Sequence, residues 1–302
     1  MNNAAYFKII NWKNLLLIIY VFLLIKLLLF PSFAIATKLS LFSFFILLIS
    51  MVLITAASDI IQAIESIISD KINTPRKLII SKIISKEKAI QWYKITNTLG
   101  IIIGILFCLK IEKPTLTFIF IGMAFLYYFY AKKLKYKPII KNLTIAFLMG
   151  FTIFILAIFE FNFSIKTENQ KVVLNTIIFL SIFICCINLI RELIKDIETI
   201  NGDYALKIKT LPIILGIQRT KKIALIISIF PISLLLIILL NFSEIYKFTM
   251  LYLLIAVFLP LVFSILKLFS ANKKNDFKKI NTLLNATIFL AFNSLIIFSI
   301  FH

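Results

Sequence analysis

The chain has 302 residues, 61% of them hydrophobic and only 15% charged, with a mean hydropathy of +1.04. Apolar residues in this proportion, gathered in runs near the length of a bilayer, exclude an ordinary soluble domain and define a polytopic membrane protein. The net charge of +20 would suggest nucleic acid in a soluble chain, but here it follows the loops between spans and implies no nucleic-acid partner. Cys108, Cys185 and Cys186 lie in apolar segments without metal-type spacing, and the single His302 is terminal. A Cys/His metal site and histidine catalysis are therefore set aside.

Apolar runs of sufficient length fall near 14–34, 39–66, 89–109, 115–131, 142–160, 172–194, 222–241, 248–269 and 280–301. They predict an all-α polytopic protein with about nine transmembrane helices in one bundle. Lys8 and Lys13 ahead of the first run resemble the start of a signal peptide, but no small-residue cleavage site follows, so the run reads as a retained span. Lys26 within it is expected to snorkel towards an interface. Of the 33 basic residues, 25 fall at the N-terminus and in the loops after the second, fourth, sixth and eighth spans. The positive-inside rule then puts the N-terminus and these loops in the cytoplasm and the C-terminus outside. Only Arg76, Arg191 and Arg219 are arginines, and the abundance of Lys, Ile, Asn and Phe fits an AT-rich genome; the cytoplasmic membrane of a bacterium is the expected location. No Pro/Gly/Ser-rich linker divides the chain, so 1–302 is read as a single transmembrane domain.

The acidic residues are not scattered. Seven of 13 lie in two windows, DIIQAIESIISDKINTPRK from Asp59 to Lys77 and RELIKDIETINGD from Arg191 to Asp203, which follow the second and sixth spans. At about 100° per residue, Asp59, Gln62, Ser66 and Asp70 form one stripe of a continuous helix, and Glu192, Asp196, Thr199 and Asp203 form another, with Asn188 one turn deeper. Gly202, in Asn-Gly-Asp, is expected to mark a turn. An ionised group in a span costs about 2.5–3.5 kcal/mol at mid-bilayer, so such faces normally meet a bundle interior or a water-filled cavity. Carboxylates on two facing helices suit Mg2+, which bridges hard oxygens to substrate phosphates. The basic stretches NTPRK and AKKLKYK could neutralise the remaining phosphate charge, and the apolar spans would bury an isoprenoid tail.

On these residues the chain resembles the UbiA superfamily of intramembrane prenyltransferases. KDIETINGDYALKIKTLP is close to that family's second motif, SDKINTPRK resembles the end of its first, and YAKKLKYKPIIKN, Tyr130 to Asn142, resembles its basic loop. The version of the second motif is more like the geranylgeranylglycerol-phosphate geranylgeranyltransferase branch than the aromatic-acceptor enzymes. The resemblance implies a Mg2+-assisted transfer of a polyprenyl group from its diphosphate to a lipid or quinone-precursor acceptor. The acceptor itself is an unidentified hydrophobic molecule reached from the membrane lipid. Asp70, Asp196 and Asp203 are the expected catalytic metal ligands, with Asp59 and Glu192 as further candidates. Arg76, Lys133, Lys135, Gln62, Ser66, Thr199, Asn142 and Tyr130 are the expected substrate contacts. Tyr127, Tyr128 and Tyr130 are interfacial aromatics or a wall for an allylic cation.

The motifs also depart from the family. Gln62, Ser66 and Thr199 stand where it has Asn, Asp and Asp. The alternative reading is a catalytically weakened member that binds lipid or a partner protein. A transporter is disfavoured because no pair of spans is broken by Gly or Pro at matched positions.

Overall fold

In the computed structural model, residues 6, 7, 9–68, 79, 80, 82–161, 167–205, 208–242 and 244–301 are described. Eleven helices follow in chain order: α1 Trp12–Ser32, α2 Leu41–Glu65, α3 Lys86–Lys110, α4 Thr117–Lys132, α5 Ile140–Phe161, α6 Glu168–Glu198, α7 Ile200–Ala205, α8 Leu211–Leu215, α9 Ile217–Phe242, α10 Lys247–Ser270 and α11 Lys274–Phe301. Among the described residues nine of them are long and apolar enough to cross a membrane, one for each expected span. Side chains such as Leu106, Phe118, Leu240 and Phe269 are exposed on these helices. That is the pattern of an apolar surface turned to lipid.

The ends of these helices are written in short polar signals. Ser40 and Ser85 accept hydrogen bonds from the backbone N–H groups of Ser43 and Lys88 at 3.2 and 3.3 Å. Thr167 and Gln170 complete a capping box ahead of α6, satisfying donors that a helix start leaves open. Pro31 and Pro260 each follow a turn of π-helix, Ile25–Leu29 in α1 and Leu254–Phe258 in α10. A proline lacks its own N–H and crowds the preceding carbonyl, so the turn before it widens.

The chain forms two compact units. The first comprises Met1–Tyr20, Leu39–Lys141 and Asn201–Ile208. Its axis is the packing of α2 on α3, made close by small residues: Ser50 Oγ donates to the Gly100 carbonyl at 2.7 Å, and a Cβ on Gly100 would lie 2.9 Å from Ile54. The Phe120 ring of α4 occupies the space a side chain at Gly104 would need.

The second unit comprises Val21–Lys38, Asn142–Ile200 and Lys209–His302. Here α6 packs on α9 and α11. It also meets α5 so closely at Gly150 that a Cβ there would lie 2.5 Å from the Ser181 carbonyl oxygen. Lys26 does not snorkel. It is buried and donates to Glu160 Oε1 at 2.5 Å, while Oε2 of the same carboxylate accepts from the Lys38 backbone N–H at 2.9 Å. A lone carboxylate near the end of α5 offers more to a lysine than the interface does.

Candidate functional site

The acidic stretch after the sixth span is mostly helix, because α6 runs to Glu198. The continuous stripe read from the sequence does not hold, however. α6 stops at Thr199, with φ −100° and ψ 7°, and α7 resumes at Ile200. α2 stops in the same way at Ser66, with φ −102° and ψ 4°. In both cases a hydroxyl turns back to the helix: Thr199 Oγ1 donates to the Lys195 carbonyl at 3.0 Å and Ser66 Oγ to that of Ala63 at 3.4 Å. Side chains that compete for backbone carbonyls favour such breaks. The two acidic segments therefore carry the same interruption at corresponding motif positions. Gly202 lies within α7 rather than in a turn, where it and Asp203 are the buried residues of that short helix.

In unit two the central pair is Asp196 with Asn142. Both are buried, and Asn142 Nδ2 donates to Asp196 Oδ2 at 3.0 Å across α5 and α6. The Asn142 amide oxygen is buried with no hydrogen-bond partner. Leaving a buried acceptor unsatisfied costs about 1–3 kcal/mol, so the position is suited to a ligand. An amide oxygen beside a carboxylate oxygen is the hard donor set that Mg2+ takes. One turn before Asp196, Glu192 accepts from Lys195 at 3.2 Å. Among the described residues no three of His, Cys, Asp and Glu converge as a metal-binding group, so a complete set would need the amide oxygen or a ligand's own oxygens.

Unit one holds the remaining candidates. Asp59 Oδ2 accepts from the Asn11 backbone N–H at 2.9 Å, tying the start of α1 to α2. Glu65, at the end of α2, pairs with Lys132, at the end of α4, at 2.6 Å. This bridge anchors the basic segment beside the α2 break. Partial burial, and secondarily the Glu65 carboxylate, push the Tyr136 phenol above its ordinary pKa. Lys133 is exposed with Nζ 5.5 Å from the Phe129 ring centroid, whereas Lys135 is half-buried. Gln62 is half-buried on α2. Tyr127 and Tyr130 are buried on α4, and Tyr128 is exposed and stacks on Tyr93. Asp70 and Arg76 lie outside the described residues.

Four polar residues stand out in the structure without a role assigned from the sequence. Glu160 carried a signal, being a solitary acid inside a span. Arg191 opens the second acidic window and Asn188 lies just before it, but Asn281, the partner of Arg191 90 residues away, has no local signal at all.

Among the described residues, nine apolar helices and two interrupted acidic helix ends make this a polytopic, all-helical membrane protein. Residues 11–293 match the UbiA prenyltransferase family, and the chain belongs to it. It is 38% identical over 161 residues to the digeranylgeranylglyceryl phosphate synthase of Thermococcus sibiricus, a match covering 53% of this chain and 52% of that protein. The matched region thus spans about half the length of that relative. The fold is shared with a solved structure of digeranylgeranylglyceryl phosphate synthase (TM-score 0.70, 19% identity, 98% of each chain). It is also shared with that of a UbiA homologue from Archaeoglobus fulgidus bound to GPP and Mg2+ (TM-score 0.58, 12% identity, 96% of this chain and 99% of that one).

Proposed function

We propose that this chain transfers a polyprenyl group from its diphosphate to a hydrophobic lipid acceptor, with Mg2+ as cofactor. The observation that carries the reading is the buried Asn142–Asp196 pair, whose amide oxygen lacks a donor, in a family with a homologue solved with GPP and Mg2+. Asp196 and Asn142 would hold the ion. Asp70 and Asp203, with Asp59 and Glu192, are proposed as further ligands on their chemistry. When bound, Mg2+ supplies positive charge that stabilises the departing diphosphate. Arg76, Lys133 and Lys135 are proposed to share that charge, and Gln62, Ser66, Thr199 and Tyr130 to position the substrate.

In the reaction the allylic C1–O bond breaks and its electron pair leaves with the diphosphate. An acceptor hydroxyl oxygen bonds to C1, and its proton passes to the diphosphate or to water. The name of the Thermococcus relative favours an acceptor that is a phosphorylated, prenylated glycerol. The excess of basic residues on alternate loops supports a cytoplasmic N-terminus and motif segments and an outward C-terminus, and residence in a bacterial cytoplasmic membrane is proposed on the AT-rich composition.

Geranylgeranyl diphosphate binding to purified protein, with and without Mg2+, tests the reading. Wild type should bind in a Mg2+-dependent way, and Asp196→Asn and Asn142→Leu should each weaken binding by about tenfold or more, the effect of losing a hydrogen bond or ligand to a charged group. Binding indifferent to Mg2+ and to both substitutions would leave a lipid-binding family member without this chemistry.

A further inference from the structure

The guanidinium of Arg191 is held by two neutral oxygens. Nε donates to Asn281 Oδ1 of α11 at 3.0 Å, and Nη1 donates to Asn188 Oδ1 at 2.7 Å. Asn188 is buried and commits its own Nδ2 to the Ile184 carbonyl at 3.1 Å, which fixes its oxygen towards the arginine. Two asparagines thus orient the fork without cancelling its charge. Among the described residues no carboxylate forms an ion pair with Arg191; the adjacent Glu192 acts on it only through space and makes its own ion pair with Lys195. Nη2 keeps both of its hydrogens and Nη1 keeps one, a planar edge that matches two oxygens of a phosphate.

A positive charge fixed by neutral amides near the end of a span calls for an anion. Arg191 lies five residues before Asp196, so about 7.5 Å further into the helix and about 140° around it. It faces α11, whereas Asp196 faces α5. One compact diphosphate held at Asp196 is therefore not its natural partner. We propose that Arg191, clamped by Asn188 and Asn281, is the seat for the phosphate head group of the acceptor lipid. In this role it is a specificity-determining residue for a phosphate monoester over an uncharged alcohol. The inference rests on the prenyltransferase reading above.

The phosphate it receives could belong to the acceptor or to a bilayer lipid, and three probes separate these sources. Binding is measured for geranylgeranylglyceryl phosphate, for the unphosphorylated geranylgeranylglycerol, and for geranylgeranyl diphosphate with Mg2+, in nanodiscs with and without phosphatidylglycerol. Wild type should prefer the phosphate over the alcohol by about 10- to 100-fold, the worth of hydrogen bonds to a charged group. Arg191→Gln should bring that preference below threefold while donor binding stays within about twofold of wild type. Asn281→Ala, which keeps the charge but frees the fork, should give an intermediate preference and guards against a fold defect in the glutamine variant. A merely structural role would weaken phosphate and alcohol alike.

A phosphate preference that survives both substitutions overturns the proposal, as does loss of donor binding in Arg191→Gln, which would assign the arginine to the diphosphate. Phosphatidylglycerol that competes with the acceptor in wild type but not in Arg191→Gln, with no phosphate-over-alcohol preference, would assign it to bilayer lipid and also overturn it. Failure of wild type to bind the donor would overturn the prenyltransferase reading itself, which is a different result.

Discussion

At the scale of single residues, a polar group inside a span is informative through its partner. Lys26 and Glu160 are both buried, at 4% and 3% exposure, and joined at 2.5 Å. Removing one member of such a pair strands the other charge, at a cost of about 3–5 kcal/mol, whereas replacing both with apolar residues is often neutral. Glu160→Gln should therefore lower the thermal unfolding temperature in detergent by several degrees. Lys26→Met with Glu160→Leu should regain most of the loss. A double variant as unstable as the single one would show that Glu160 acts mainly through the Lys38 backbone. The sequence exposes each of these residues as costly but not their pairing, because they are 134 residues apart and nothing local links them. The same holds for Asn142. Its place in the basic-loop motif marks it as a substrate contact, yet only packing of α5 on α6 reveals it as the partner of Asp196.

At the scale of helices, the nine spans are legible because a bilayer imposes length and hydropathy directly. The breaks at Ser66 and Thr199 are not. Neither position interrupts the apolar periodicity, and a hydroxyl that turns back to its own helix leaves no compositional trace. Close approaches are partly legible as glycines, and they support a sharper prediction. Gly150 and Asn142 both lie on α5, and each meets α6, at Ser181 and Asp196 respectively. In Gly150→Ala the new methyl would meet backbone, which cannot rotate away, so α5 must shift from α6. Overpacking of this kind costs about 1–3 kcal/mol. The Asn142–Asp196 contact, about 12 Å along α5 at 1.5 Å per residue, should loosen with it. Gly104→Ala meets the Phe120 ring of α4 instead and serves as the control. Both variants should lose stability in unfolding measurements, but only Gly150→Ala should lose Mg2+-dependent donor binding beyond its loss of folded protein. Equal losses in the two variants would detach the metal-binding proposal from the α5–α6 contact.

At the scale of the whole molecule, the charge asymmetry carries the topology. A soluble reading of +20 would send the chain towards nucleic acid. In a polytopic membrane protein the same charges, gathered on alternate loops, instead support the proposed direction of insertion, because lysine-rich loops resist translocation. In the proposed orientation the acidic motifs would share the side of those loops, and a diphosphate made in the cytoplasm would reach them without crossing the bilayer. The prediction follows in three positions. Cys108, Cys185 and Cys186 are first replaced by Ala. Lys137, Glu244 and Asn272 are exposed, in the connections after α4, α9 and α10. Single cysteines at 137 and 272 should react with a membrane-impermeant maleimide only after the membrane is opened, while Glu244→Cys should react in intact cells. Labelling of all three in the opposite sense would invert the protein and place the motif segments outside. Mixed labelling would show that one of the apolar helices does not cross, and α4, with the lowest mean hydropathy of the nine spans at 1.4, is the one whose insertion relies most on its neighbours.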